Sequence, residues 1–360
     1  MIALSAFTIA IFSPLLGRWA DTKGHILNCL KFSIFASFVF TSFLWFVEPK
    51  VEFAILAICL SFLSIFFSEI SFIFYNALLS HNFKQSELGK ISGLSWGLGY
   101  FGGIASLIII LVLFILPEKT ILNLDKTESE HIRISMPLVA IWLLVFSIPI
   151  MTFFSNPKPS NKRGKIFSEF VESINRAKKT PSMVRFLFAR MFYNDGLITL
   201  FAFGGIFAAK VFKFTQNEIL IFAILLNLSS GIGAILSGVF NNKNNSITII
   251  RVSLLFFLLL GSICIFTTNN FIFWISAISL GFFVGPCQSA SRVWVSLNSN
   301  NQDKASIFGL YMTSGKITSF IGPLIYGWLV YFFGLERYGM ISVLILIFLG
   351  LIFLPKEKIK

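Results

Sequence analysis

The sequence predicts an all-α polytopic membrane protein, and three observations carry the prediction. Hydrophobic residues make up 56% of the 360 residues and charged residues only 12%, with 45 Phe, more apolar surface than a soluble fold of this size buries in one core. The apolar stretches recur at roughly 20 residues, the length of a helix that spans about 30 Å of hydrocarbon. Lys and Arg gather in alternate connections along the chain, the pattern of a chain that crosses a bilayer repeatedly with its positive loops on one side.

In chain order, helices are expected over residues 1–16, 30–47, 53–79, 88–116, 136–154, 185–211, 218–240, 248–267, 271–296, 306–333 and 338–354, eleven in all. Residues 1–16 and 32–47 contain no charged side chain, so the polar stretch Gly17-Arg18-Trp19-Ala20-Asp21-Thr22-Lys23-Gly24-His25 reads as a tight hairpin loop between two segments of opposite direction. Met1 opens directly into apolar residues without a basic leader or small-residue cleavage site, so the first run reads as a retained helix. With the Gly17 loop on the cytoplasmic side, 20 Lys and Arg face inward and seven outward, leaving Arg190 and Lys316 inside helices. That bias puts the C-terminus in the cytoplasm and assigns the net charge of +13 to topology, with the lipid bilayer as partner and no nucleic acid. The abundance of Phe, Ile, Lys and Asn is what an AT-rich genome encodes, and suits a bacterial inner membrane.

Three domains are expected: an N-terminal bundle of five helices over 1–154, a linker over 155–184 and a six-helix bundle over 185–360. Pro157, Pro159 and Asn161 open the linker and Pro181 closes it. Between them Ile166, Phe170, Val171 and Ile174 recur at helical spacing among charged residues, which suits either an amphipathic helix on the membrane surface or a solvated spacer. The two halves repeat. Gly17 before Asp21 and Lys23 recurs as Gly238 before Asn242 and Lys243; Ser92-Gly93-Leu94 recurs as Phe308-Gly309-Leu310, and Gly99 as Gly315. Carried backward from the helix at 185–211, the offset demands a partner that lies before Met1, so one helix is expected to be missing, through an upstream start codon or a truncated gene.

Gly97-Leu98-Gly99-Tyr100-Phe101-Gly102 fits a dinucleotide fingerprint, yet no strand precedes it. Gly89, Gly93 and Gly97, with Gly99 and Gly103 as a second series, follow the four-residue spacing that lets membrane helices approach closely. Cys29, Cys59, Cys264 and Cys287 and the three His residues form no metal or disulfide pattern. No cofactor is expected, and no nucleophile and base pair or HExxH motif marks an enzyme.

Gly17-x-x-x-Asp21-x-Lys23-Gly24 resembles the loop between the second and third helices of the major facilitator superfamily, although Thr22, His25 and Ile26 stand where that family usually carries basic residues. Ala189-Arg190-Met191-Phe192-Tyr193-Asn194-Asp195-Gly196, Gly285-Pro286-Cys287-Gln288-Ser289-Ala290-Ser291-Arg292, and Phe308-Gly309-Leu310-Tyr311 with Ser314-Gly315-Lys316 and Gly322-Pro323 are similar to the branch that includes the autophagy-related vacuolar amino-acid effluxers. The resemblance implies two six-helix bundles that rock about a central site, here with the first helix missing. It implies that the helices at 53–79, 185–211 and 271–296 line the cavity, and that the Gly17, Asp21, Lys23 and Gly24 loop takes part in the conformational change.

Charges inside helices cost roughly 2.5 to 3.5 kcal/mol each at the bilayer centre unless they pair or face water. Glu69, Arg190, Asp195 and Lys316 are the four that stand out, and they are assigned to substrate or proton binding, with Lys316 as a balance for one carboxylate. Arg190 could instead snorkel to the inner surface, Glu69 could be a structural carboxyl and Lys316 a structural counter-ion. Direct pairing of Arg190 with Asp195 is poor, since five residues turn the helix by roughly 140°. Tyr75, Asn76, Tyr193, Asn194, Gln288, Ser291 and Tyr311 could complete a pocket for a zwitterion, or serve as hydrogen-bonding glue between helices. The expected function is alternating-access secondary transport of a small polar solute, amino acids by resemblance, with protons as the coupling ion. A non-transporting membrane receptor or assembly factor that keeps the fold is the alternative.

Overall fold

A bilayer leaves a backbone N–H or C=O no partner but the chain itself, so the apolar stretches fold as helices. The computed structural model describes residues 2–117, 122, 124–159, 180–242 and 245–356, and no strand occurs among them. Its helices are α1 (Ile2–Lys23), α2 (Ile26–Phe43), α3 (Ala54–Asn82), α4 (Leu88–Ile110, continued by a π-turn over Leu111–Ile115), the short α5 (Glu130–Arg133), α6 (Ser135–Phe153), α7 (Pro181–Phe212), α8 (Gln216–Phe240), α9 (Ser246–Phe266), α10 (Asn270–Leu297), α11 (Lys304–Lys316), α12 (Ile321–Phe333) and α13 (Glu336–Phe353). Ten helical segments among the described residues are long and apolar enough to cross a membrane, the pair α11 and α12 counting as one; α1, of 22 residues, precedes them.

Local chemistry sets the ends. Thr215 and Glu218 close a capping box at the start of α8: the Thr215 amide donates to Glu218 Oε2 at 2.8 Å, and the Glu218 amide to Thr215 Oγ1 at 3.3 Å. Asn269 Oδ1 accepts the second and third amides of α10, from Phe271 at 2.8 Å and Ile272 at 3.2 Å. Pro181 opens α7 at a position where its missing N–H costs nothing.

Contacts group the chain into two compact units. The first comprises Met1–Asn82, Gly102–Phe170 and Asn301–Gly309, with α2 packed on α3 and α6 and α1 on α3. The second comprises Phe83–Phe101, Val171–Asn300 and Leu310–Lys360. Within it α7 packs on α13, and α10 on α8 and α9; Phe212 and Phe273 stack at 4.0 Å between ring centres in its core.

Two expected boundaries change. The Gly17 loop is not a loop: α1 continues through it to Lys23, and the chain reverses at Gly24, whose φ of +65° is a left-handed conformation that suits a residue without Cβ. The expected helix over 306–333 is two helices, with a turn over 317–320. Pro323 is the physical reason, because it has no N–H to donate and its ring would strike the carbonyl of Ser319 in a continuous helix; placed in the first turn of α12 instead, it needs no donor. Ile166, Phe170, Val171 and Ile174 of the expected amphipathic linker lie outside the described residues.

Candidate functional site

At the break between α11 and α12, polar side chains of α7 meet backbone groups of both helices. Gly315 O receives Asn194 Nδ2 at 3.0 Å. Tyr311 O receives Arg190 Nη1 at 2.7 Å, and the same nitrogen reaches Ser314 Oγ at 3.2 Å. Across the break, the amide of Gly322 donates to Asp195 Oδ2 at 3.1 Å. A cation and an amide donor therefore meet the negative end of α11 and a carboxylate meets the positive end of α12, the favourable sign at both. Residues 190, 194 and 195 share one stretch of α7, so a single helix serves both ends.

Arg190 does not snorkel. It is buried, its guanidinium carbon lies 3.5 Å from the centre of the Tyr311 ring, and a Cβ on Gly315 would fall 2.3 Å from its Nη1, so glycine at 315 makes the space for it. Among the described residues Arg190 has no carboxylate partner, and its buried Nε–H donates to nothing. Arg190 and Asp195 are not paired with each other, as the helix geometry requires.

Tyr193, fully buried, shares a 2.8 Å hydrogen bond with Ser291 on α10. Because the Ser291 hydroxyl donates to Cys287 O at 2.6 Å, the Tyr193 hydroxyl is the donor. Gln288 is half-buried on the same helix and makes no side-chain hydrogen bond among the described residues. The structure thus gathers Arg190, Tyr193, Asn194, Asp195, Ser291 and Tyr311 about α7, with half-buried Lys316 at the last position of α11. Glu69 and Tyr75, half-buried, and Asn76, buried, stand on α3 in the first unit.

The end of α1 is a second polar centre, within the first unit. Arg18 Nη1 and Asp303 Oδ1 form a buried ion pair at 2.7 Å. Asp21 accepts from the amides of Ala305 at 3.1 Å and Ser306 at 2.7 Å, capping α11 at its first turn. A Cβ on Gly17 would lie 2.2 Å from Ala305 O, and one on Gly309 2.5 Å from Ser13 O. Gly24 is buried against the backbone of Pro157 and Pro159, and Lys23 is exposed.

The second unit repeats this device with the repeat-related residues. A Cβ on Gly93 would lie 2.7 Å from Gly238 Cα, and one on Gly89 1.6 Å from Asn241 O. Beside them, Arg292 Nε donates to Ser92 Oγ at 2.9 Å and its Nη2 to Ser92 O at 2.8 Å, while Ser92 Oγ donates to Ser289 O at 3.0 Å. Arg18, Arg292 and Lys304, counted in the sequence among the inward-facing charges, are buried. Arg18 and Arg292 lie near helix ends and meet groups of another segment, Asp303 and Ser92, and the nearby glycines were the available signal. The glycine hexapeptide at Gly97 is helical, within α4, and Gly97 is the glycine in it that packs closely, against Ile235 and Gly231.

Comparison with known proteins gives this geometry a family. The chain matches the family model described as vacuole effluxer Atg22 like over residues 1–356. It is similar to the uncharacterized MFS-type transporter YxiO of Bacillus subtilis (strain 168), at 23% identity over 99% of this chain and 84% of the relative. It is also similar to autophagy-related protein 22-1 of Aspergillus fumigatus, at 25% identity over 74% of this chain and 46% of the relative, so it spans about half the length of that fungal protein. Among solved structures, the fold is similar to the major facilitator transporter FucP in its outward conformation, with a TM-score of 0.79 at 12% identity over 98% of this chain and 88% of that one. It is likewise similar to the proton:xylose symporter XylE, with a TM-score of 0.73 at 14% identity over 98% and 85%. An integral membrane protein with this fold and these relatives is a transporter of the major facilitator type and not an enzyme, and the chain belongs to the Atg22-like family.

Proposed function

We propose that this transporter carries amino acids by alternating access, driven by a proton gradient, in a bacterial cytoplasmic membrane with its C-terminus in the cytoplasm. The observation that carries the substrate class is Arg190: a buried guanidinium without a carboxylate partner among the described residues, with its Nε–H unused. An Arg fork is the protein group best matched to a carboxylate, and a buried cation gains more from such a partner than an exposed one does. Tyr193, Asn194, Ser291 and Tyr311 surround it with hydrogen-bonding groups. In the same reading Glu69, Tyr75, Asn76, Gln288 and Lys316 contribute to substrate or proton binding, and Gly17, Asp21, Lys23 and Gly24 form a latch that opens and closes with the transport cycle. The names of the relatives support efflux, and solved neighbours described as fucose:proton and proton:xylose symporters support proton coupling.

Thermal unfolding of the purified chain with a panel of free amino acids tests the substrate class. A ligand at about 100 times its Kd stabilises the folded state by roughly 2.7 kcal/mol, so at least one amino acid should raise the midpoint by several degrees. The corresponding amino-acid amide, which lacks the carboxylate, should not. Equal stabilisation by acid and amide would remove Arg190 from the proposed role.

A further inference from the structure

Asp195 sits against the start of α12 with one carboxylate oxygen committed and one free. Oδ2 accepts the Gly322 amide, while Oδ1 is buried and has no hydrogen-bond partner among the described residues; the residue is 1% exposed. The charged and titratable groups on the helices around it are Arg185, Arg190, Tyr193 and Lys210 on α7, Glu218 on α8, Cys287 and Arg292 on α10, Lys304, Tyr311 and Lys316 on α11, Tyr326 and Tyr331 on α12, and Glu336, Arg337 and Tyr338 on α13. None of them forms an ion pair or hydrogen bond with the Asp195 carboxylate. Arg190 is turned to α11, and Lys210 and Tyr326 are bound to Glu336.

A carboxylate buried without a cation is held in its charged form by what caps the helix, here a single amide and the positive end of α12. The unmet oxygen is where a proton goes. Thr199, one helical turn on, donates its hydroxyl to Asp195 O at 2.8 Å, which leaves its oxygen lone pairs open as acceptors. A Cβ on Gly322 would lie 2.0 Å from Thr199 Oγ1 and 3.0 Å from Asp195 Oδ1, so both oxygens flank the same point over Gly322, and glycine there keeps the space between them clear.

We propose that Asp195 Oδ1 is a proton-binding site that controls the break between α11 and α12, accepting a proton from water and hydrogen-bonding it to Thr199. Ionised, the carboxylate holds the first turn of α12 by charge and hydrogen bond. Protonated, it loses the charge that the helix end attracts, and α12 is released to move relative to α7. The role rests on the proposed proton coupling and names the group and the moving element that would carry it.

Infrared difference spectroscopy on the purified chain, titrated across pH, reads the site without any transported solute. A protonated-carboxyl C=O band is expected to disappear as pH rises, to be absent in Asp195→Asn, and to titrate at a midpoint about one unit lower in Thr199→Val, which removes the acceptor for the bound proton. A band of unchanged amplitude in Asp195→Asn would overturn the assignment to Asp195. An unchanged midpoint in Thr199→Val, a near-isosteric variant that tests the site should the Asn variant fail to fold, would overturn the arrangement proposed here. Amino-acid flux into proteoliposomes separates this from the function: wild type without flux refutes the substrate reading and leaves the band to decide the proton site. A severalfold stimulation by an inward proton gradient that persists in Asp195→Asn refutes the coupling role.

Discussion

Arg18 shows how one side chain that looks like a surface charge holds two elements. Its guanidinium has no exposed area and meets Asp303 at 2.7 Å, and Asp21, one turn on, caps the helix that Asp303 precedes. Removing one member of a buried pair costs about 3 to 5 kcal/mol because the other charge loses its partner in a poorly solvated place, whereas replacing both by apolar groups of similar volume is often close to neutral. Arg18→Ala is therefore expected to lower stability by about 3 kcal/mol, with Arg18→Met combined with Asp303→Leu recovering more than half of that loss; thermal unfolding of the three proteins measures it. A loss below about 0.5 kcal/mol for Arg18→Ala would mean that water reaches the pair. In the sequence, Arg18 stood among other basic residues in a polar stretch, and nothing in that stretch distinguishes a cation that faces water from one that faces another helix.

At the scale of elements, glycine spacing predicted a close helix approach, and the structure divides that series in two. Gly89, Gly93 and Gly97 face α8 at distances that leave no room for a Cβ, whereas Gly99 and Gly103 have nothing among the described residues within 4 Å of one. Gly93→Ala should cost about 1 to 3 kcal/mol through overpacking against Ala234 O and Gly238. Gly99→Ala should be neutral or stabilise by up to about 1 kcal/mol through helix propensity. Denaturation midpoints of the two variants decide the matter, and equal losses in both would contradict the assignment of faces. The break between α11 and α12 was harder to read. Gly322-Pro323 was visible as a motif, but the stretch around it is apolar at helical length, and hydropathy does not register a turn whose backbone groups are met by side chains of another helix. Arg190, Asn194 and Asp195 were legible as polar residues in an apolar helix; that they meet the two ends of a broken helix depends on contacts more than 100 residues apart in the chain.

For the whole molecule, the membrane fold and its superfamily were legible because two strong regularities encode them. The 20-residue apolar period follows from bilayer thickness, and the paired glycine junctions, Gly17 with the start of α11 and Gly238 with the start of α4, recur in both halves of the sequence and are formed in both units. Substrate identity is not encoded in such a regularity, since it rests on a few polar atoms whose partners come from distant segments. The Asp195 and Arg190 proposals divide that work: the first concerns the driving ion and the second the solute. Proton-gradient-driven uptake of a mixed pool of labelled amino acids by reconstituted proteoliposomes, wild type against Arg190→Gln, addresses the central claim most directly. The account predicts gradient-stimulated uptake by wild type and at least a tenfold loss in a folded Arg190→Gln protein, the equivalent of one lost charge-assisted interaction of about 1.4 kcal/mol or more. Undiminished uptake by Arg190→Gln, or wild type that moves no amino acid in either direction, would contradict it.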